Sequence, residues 1–184
     1  MAVSVALRSF DPAIAGARPV TFAEAVRDHQ DEVFGVALRI TGDRESALDV
    51  TSATFLKAYR AFARYDQSRP IRHWLLRIAS NEAISHARRA SRELRRRADA
   101  DTAGDLADPA ALPEDLSLAR ETRARIRAAV ADLPELYRVV IVLRYFNDLS
   151  VEEIAEVTGR PASTVGVQLL RGRALLRRAL GDAQ

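Results

Sequence analysis

The segment SVEEIAEVTGRPASTVGVQLLRGR, Ser150–Arg173, decides how the C-terminal part of this chain folds. Ser150 and Glu153 stand at the spacing of a capping box, which predicts a helix starting at Ser150. Ile154, Ala155 and Val157 can pack inward, and Thr158-Gly159 ends the helix with a glycine that takes a left-handed conformation at little cost. Pro161 suits the first turn of the next helix, where its missing N–H is no loss. Val165, Leu169 and Leu176 make the inward stripe of that helix. Its other face carries Ser163, Thr164, Gln168 and Arg171, followed by Arg173, Arg177 and Arg178. The layout is a helix-turn-helix, with short polar side chains for base edges and arginines for phosphates. A plain helical hairpin in a bundle shares the outline, so the DNA reading rests on the Ile-Ala, Gly, Thr-Val spacing and the acid-free arginine end. Gly166 lies mid-helix on the reading face, at a cost of about 1 kcal/mol against alanine. It either permits close backbone approach to DNA or is simply tolerated.

Composition bounds the rest. The chain has 184 residues, 48% of them hydrophobic, enough for one ordinary domain or two small ones. Formal net charge is +3, and Lys57 is the only lysine among 28 basic residues. Where the arginines cluster therefore says more than their total. With no cysteine, a disulfide framework, a thiol nucleophile and a Cys-based zinc site are excluded. His29, His73 and His86 lack metal-ligand spacing, so neither a metal nor a cofactor is expected. There is no apolar run long enough for a membrane span, and the start of the chain lacks the pattern of a secretory signal. A cytoplasmic protein without membrane insertion is the expectation.

Working back toward the N-terminus, residues 1–20 read as a loose lead-in broken by Pro12, Gly16 and Pro19. Thr21 and Glu24 form a second capping box, opening a helix that breaks at Thr41-Gly42-Asp43. A further helix runs from about Arg44, and Arg64–Pro70 is a loop. The next helix begins at Ile71 and ends in a basic stretch, Arg88 to Arg97, opposed only by Glu93. Residues 98–116, ADADTAGDLADPAALPEDL, contain acids and prolines but no basic residue, which marks a flexible linker. Helix resumes near Leu116, and another opens at Leu133-Pro134. No strand-like alternation is sustained. The predicted fold is all-α, in two small helical domains: 21–97 and 118–184, joined by a flexible acidic linker over 98–117.

Residues Arg69 to Arg89, RPIRHWLLRIASNEAISHARR, form the second informative segment. An aromatic, amides, hydroxyls and arginines on a helix entered from a loop suit single-stranded DNA, whose bases need stacking partners and whose backbone needs cations. Trp74 on an apolar stripe equally fits a core position. Asn81 is the better candidate, because helix interiors disfavour asparagine.

At this point the chain resembles the extracytoplasmic-function sigma factors of the sigma-70 superfamily, promoter-specificity subunits of bacterial RNA polymerase. ALRITGDRESALDVTSATFLKAYRAFARYD looks like the family's region two, and WLLRIASNEAISHARR resembles its promoter-melting, −10-reading helix. The segment from Asp132 to Leu180 is similar to region four. The resemblance implies an alternative sigma factor that binds core polymerase and opens promoters, with no catalysis of its own. Its implied contacts to the −10 element are Arg69, Arg72, Trp74, Arg77, Asn81, Ser85, Arg88 and Arg89. Those implied for the −35 element are Ser163, Thr164, Gln168, Arg171 and Arg173. Asp49, Ser52 and Phe55 would dock on the coiled coil of the polymerase largest subunit, and Leu133, Pro134, Arg138 and Leu143 would meet the polymerase flap. In that docking helix the family often has acidic and Gln residues where this chain has Leu48, Ser52 and Ala53, and Gly166 replaces a common Lys or Arg. An anti-sigma factor is a further implied partner, and no appended C-terminal domain is expected.

Two other readings are open on the residues alone. A helix-turn-helix regulator acting without core polymerase would share the last unit, but would not need the strand-capturing segment Arg69 to Arg89. A small all-α enzyme or structural bundle is the other, and here no carboxylate pair or His-centred constellation supports catalysis.

Overall fold

The structure, a computed structural model, describes residues 20–98 and 117–181. Helix α1 (Phe22–Thr41) starts at the expected capping box: Thr21 accepts from the Glu24 N–H, and the Glu24 carboxylate accepts from the Thr21 N–H at 2.9 Å. It stops at Gly42, whose φ of 81° lies in the left-handed region. Asp43 then caps α2 (Arg44–Ala61), accepting from the Ser46 N–H at 2.7 Å. Those donors hold the Asp43 carboxyl below its usual pKa range. A single 3₁₀ turn, Phe62–Arg64, leads through a loop into α3 (Ile71–Ala98). These three helices pack on one another as a bundle.

The second unit holds α4 (Ser117–Ala131), α5 (Glu135–Tyr145), α6 (Val151–Thr158) and α7 (Ala162–Gly181). The predicted Ser150–Glu153 capping box is present, with the Glu153 carboxylate 2.7 Å from the Ser150 N–H. Gly159 ends α6 at φ 66°. Pro161 lies just outside α7 rather than in its first turn, and its carbonyl accepts from the Val165 N–H at 3.1 Å. Among the described residues every regular element is a helix. The lead-in 1–19 and residues 99–116 of the expected linker fall outside the described residues.

The two units lie against each other. Helix α1 packs on α4 and α5, and α3 packs on α6. Helix α5 explains how: Val139, Val140, Ile141, Val142 and Leu143 are all buried, so this stretch of the helix is apolar around its whole circumference. A helix of that kind needs neighbours on every side, and it has α1 on one and α6 and α7 on others. One apolar cluster therefore runs from Val36, Ile40 and Val50 of the first unit to Leu143, Ile154 and Leu169 of the second. A smaller cluster, around Ala25, Val33, Ala58, Leu75 and Ala79, belongs to the first unit alone. Each fully buried Leu, Ile or Val contributes roughly 1.5–3 kcal/mol relative to exposure.

Candidate nucleic-acid interface

Helix α7 sets its polar edge by register. Val165 and Leu169 are buried against α5 and α6, which leaves Ser163, Thr164, Arg171 and Arg173 exposed. Gln168 does not join that edge. It is only 6% exposed, and its side-chain oxygen accepts from Arg160 Nη1 at 3.0 Å. Its position one turn from Val165 and Thr164 places it at the margin of the buried stripe, where an amide finds a partner within the protein. Two glycines on α7 differ sharply. A Cβ on Gly166 would meet nothing within 4 Å, whereas one on Gly172 would sit 2.9 Å from Ile141 Cγ1 and 3.4 Å from Tyr137 Cβ. Gly172 lets α7 approach α5 closely, and that approach seats the helix. Sequence reasoning did not single it out.

The loop before α3 is built by its own side chains. Asp66 Oδ1 accepts from the Ser68 N–H at 3.0 Å and from the Ser68 hydroxyl at 2.6 Å, bonds that hold the Asp66 carboxyl below its usual pKa. The Tyr65 hydroxyl donates to the Arg69 carbonyl. Tyr65 also lies beside Trp74, ring centres 4.8 Å apart, and Phe62 is close to both rings. Trp74 is half-buried and joins the smaller apolar cluster. It supports the loop from beneath. Arg69, Arg77, Asn81 and Arg89 are exposed, and Ser85 is half-buried.

Two arginines of α3 are engaged within the protein. Arg72 makes a forked contact with Glu32, Nε lying 2.9 and 3.0 Å from the two carboxylate oxygens, and its Nη2 donates to the Asn147 carbonyl. The Asn147 amide in turn donates to Glu32 at 3.0 Å. Burial by itself would raise the Glu32 carboxyl. The Arg72 guanidinium and the Asn147 amide outweigh it and hold the group below the ordinary range. Arg88 makes a second forked pair, Nε at 3.0 Å and Nη2 at 2.7 Å from the Glu135 carboxylate at the start of α5. Glu32, Asn147 and Glu135 carry no signal in the sequence beyond their types. Packing of α1 on α3 within the first unit brings Glu32 there, and packing of the two units brings Asn147 and Glu135.

Along α2, Leu48, Asp49, Ser52, Leu56 and Tyr59 are exposed and fall on one side of the helix. Phe55 is half-buried in the smaller cluster. Of the four residues expected to meet the flap, Pro134 is exposed and half-buried Arg138 donates to the Ile40 and Leu133 carbonyls, but Leu133 is 3% exposed and Leu143 0%. Both belong to the apolar cluster that runs between the units, so neither reaches the surface in this arrangement. Exposed Leu136, which sequence reasoning passed over, stands near Pro134 instead. Among the described residues no group of His, Asp or Glu side chains is placed to hold a metal, and no helix is long and apolar enough to cross a membrane.

The chain matches the family model described as Sigma-70 region 2 over residues 25–93, and that described as Sigma-70, region 4 over residues 123–176. The ECF RNA polymerase sigma factor SigW of Bacillus subtilis is 32% identical over 169 residues, which span 88% of this chain and 89% of the relative. The RNA polymerase sigma-H factor of Pseudomonas aeruginosa is 32% identical over 84% of this chain and 83% of its own. Among solved structures, the fold resembles the sigma factor RpoE in complex with the anti-sigma factor NepR from Bartonella quintana. That likeness has a TM-score of 0.69 at 21% identity, covering 89% of this chain and 98% of the other. CnrH in complex with the cytosolic domain of CnrY gives a TM-score of 0.66 at 25% identity, over 94% of each chain. With both regions matched in order and a relative 32% identical over most of both chains, the chain belongs to the extracytoplasmic-function RNA polymerase sigma factors, alternative sigma factors that direct transcription initiation.

Proposed function

We propose that this sigma factor works as a non-catalytic, cytoplasmic specificity subunit through three surfaces. The exposed side of α2, with Asp49 and Ser52 flanked by Leu48 and Leu56, is the dock for the coiled coil of the polymerase largest subunit. The loop from Asp66 and the outer face of α3, with Arg69, Arg77, Asn81 and Arg89 exposed, takes the separated strand of the −10 element. Helices α6 and α7 read the −35 element, Ser163 and Thr164 at base edges and Arg171 and Arg173 at phosphates. Domains 21–97 and 118–184 thus act as two modest DNA readers. Joining them raises specificity through effective concentration and restricts the permitted spacing of the two elements.

The observation that carries this reading is the polar edge of α7 standing free after the Gly159 turn, while its apolar stripe is buried. Buried Leu133 and Leu143 are better suited to shaping the flap contact from beneath, with Pro134 and Leu136 as the surface that touches it. Both proteins of similar fold were solved with a binding partner, the sigma factor RpoE with an anti-sigma factor and CnrH with the cytosolic domain of CnrY. An anti-sigma factor is accordingly the regulatory partner expected here. The deciding experiment adds purified protein to sigma-free core polymerase and follows transcripts from a cognate promoter. Initiation is the expected result. Failure to bind core, where another sigma does bind, would sink the proposal. Within the working holoenzyme, Asn81→Ala should slow promoter opening on duplex DNA, and unchanged opening would remove Asn81 from the −10 surface.

A further inference from the structure

The outer face of α7 is not uniformly polar. Val167 is 49% exposed and Leu170 60%, and exposed Ala174 continues their line along the helix. At about 3.6 residues per turn, Arg171 and Arg178 fall on one side of this apolar strip, and Arg173 and Arg177 on the other. All of these arginines are exposed. Val167 stands one turn beyond Ser163 and one turn before Arg171, between a hydroxyl placed at a base edge and an arginine placed at a phosphate. Its neighbours leave it room. Gly166 carries no side chain, and a Cβ there would meet nothing within 4 Å. Gln168 is turned away to Arg160, 3.0 Å distant, and does not stand on this face. Beside Val167 the surface is hollowed into an open depression of about 330 Å³ that also borders Tyr137 and Thr164.

We infer that Val167 reads a thymine of the −35 element through its C5 methyl group, with Leu170 as the next apolar contact along the groove. This inference rests on the −35 role proposed above for α7. Apolar side chains left in water between two rows of cations call for an apolar occupant within an anionic frame. The major groove of DNA is such a surface. Phosphates run along both of its rims, and thymine methyls project from its floor, where no other standard base presents one. A wholly apolar protein surface would cover the strip but leave the flanking arginines without anions. Val167 lies about 6 Å along the helix axis from Ser163, so its thymine falls within about two base-pair steps of the base that Ser163 meets. Arginines at phosphates fix the register of α7 but carry no sequence information of their own. Val167 adds discrimination of thymine from cytosine at one step of the element.

The experiment uses the full chain with core polymerase. Holoenzyme selects binding sequences from duplexes randomised over the −35 element, and the selected element should hold thymine at a fixed position. Each such thymine is replaced in turn by deoxyuridine, which lacks only the methyl, and affinity is measured by competition at one salt concentration. At one of them deoxyuridine should weaken binding about fourfold, the scale of one methyl withdrawn from water. Val167→Ala should abolish that difference, so that thymine and deoxyuridine duplexes compete equally. Val167→Thr, which keeps a methyl, should preserve most of it. Deoxyuridine penalties that are the same in the unaltered chain and in Val167→Ala would overturn the inference, as would selected elements without a fixed thymine. If Val167→Ala instead weakens binding to core polymerase in the absence of DNA, the strip is a polymerase contact and the inference falls. Replacing the whole −35 element by unrelated sequence separates the two readings. Unchanged affinity would remove α7 from the −35 element and the inference with it. Lost affinity without a Val167-dependent deoxyuridine penalty would remove the methyl reading alone.

Discussion

Helices α3 and α7 both carry rows of arginine, yet the groups facing those arginines differ. On α3, Arg72 and Arg88 are held by Glu32, Asn147 and Glu135, three residues brought from outside the helix. On α7, Arg171, Arg173, Arg177 and Arg178 are exposed and make no ion pair among the described residues. A cation already forked onto a carboxylate must give up that pairing before it can neutralise a phosphate, whereas a solvated one has only water and counterions to release. The arginines of α7 are thus available in the isolated chain, while two of those on α3 are in part spoken for. Similar composition on two helices does not make them equally accessible to DNA.

The comparison can be broken or sharpened by substitution, and the largest effect should come from the seat of α7. Gly172→Val drives side-chain atoms into Ile141, already 2.9 Å from where a Cβ would stand. Overpacking of this kind costs about 1–3 kcal/mol, which denaturant melts would register. An unchanged midpoint would mean that α7 does not depend on close approach to α5. Next in size, Arg171→Ala with Arg173→Ala should weaken −35 duplex binding and lower the salt slope by about 0.9 for each phosphate left without its arginine. Stability should hardly change, since both side chains are exposed. A salt slope equal to that of the unaltered protein would remove these arginines from the interface.

A pH titration probes the α3 side. The Glu32 carboxyl lies below its ordinary pKa in the folded chain, so its contribution is complete above the unfolded value, about 4.3, and is lost as pH falls toward the folded value. Glu32→Gln should therefore destabilise at pH 7 and flatten the loss of stability below about pH 5. The effect is on the order of 1 kcal/mol or less, because solvent screens a half-buried pair. Parallel acid melts of the two proteins would show that Glu32 contributes nothing to stability. The smallest effect belongs to Gly166→Ala. Nothing within 4 Å opposes a Cβ there, so helix propensity alone acts and stability should rise by just under about 1 kcal/mol. If duplex binding drops at the same time, the backbone at Gly166 lies against DNA.

Local signals made much of this fold legible. Both capping boxes, Thr21–Glu24 and Ser150–Glu153, and both left-handed glycines, 42 and 159, are events of four or five consecutive residues, so sequence spacing contains them. The inward stripe Val165, Leu169, Leu176 follows from helical periodicity in the same way. Gln168 was less legible because it sits at the edge of that stripe, where period alone does not say whether an amide turns to solvent or to Arg160. Leu133 and Leu143 read as polymerase contacts by resemblance, yet both are buried in the apolar cluster once the two units meet. Gly172 gave no local signal at all, since the reason for it lies in Ile141 and Tyr137, on another helix.

The sequence by itself determined where α1 and α6 start and stop, which face of α7 turns inward, and the order of two sigma regions along the chain, because each depends on neighbours a few residues apart. Only the tertiary structure decided which arginines stand free at the surface and which are held within the protein. Glu32, Glu135 and Asn147 lie 40, 47 and 75 positions from the arginines they hold, and packing of α1, α5 and α6 against one apolar cluster is what brings them there.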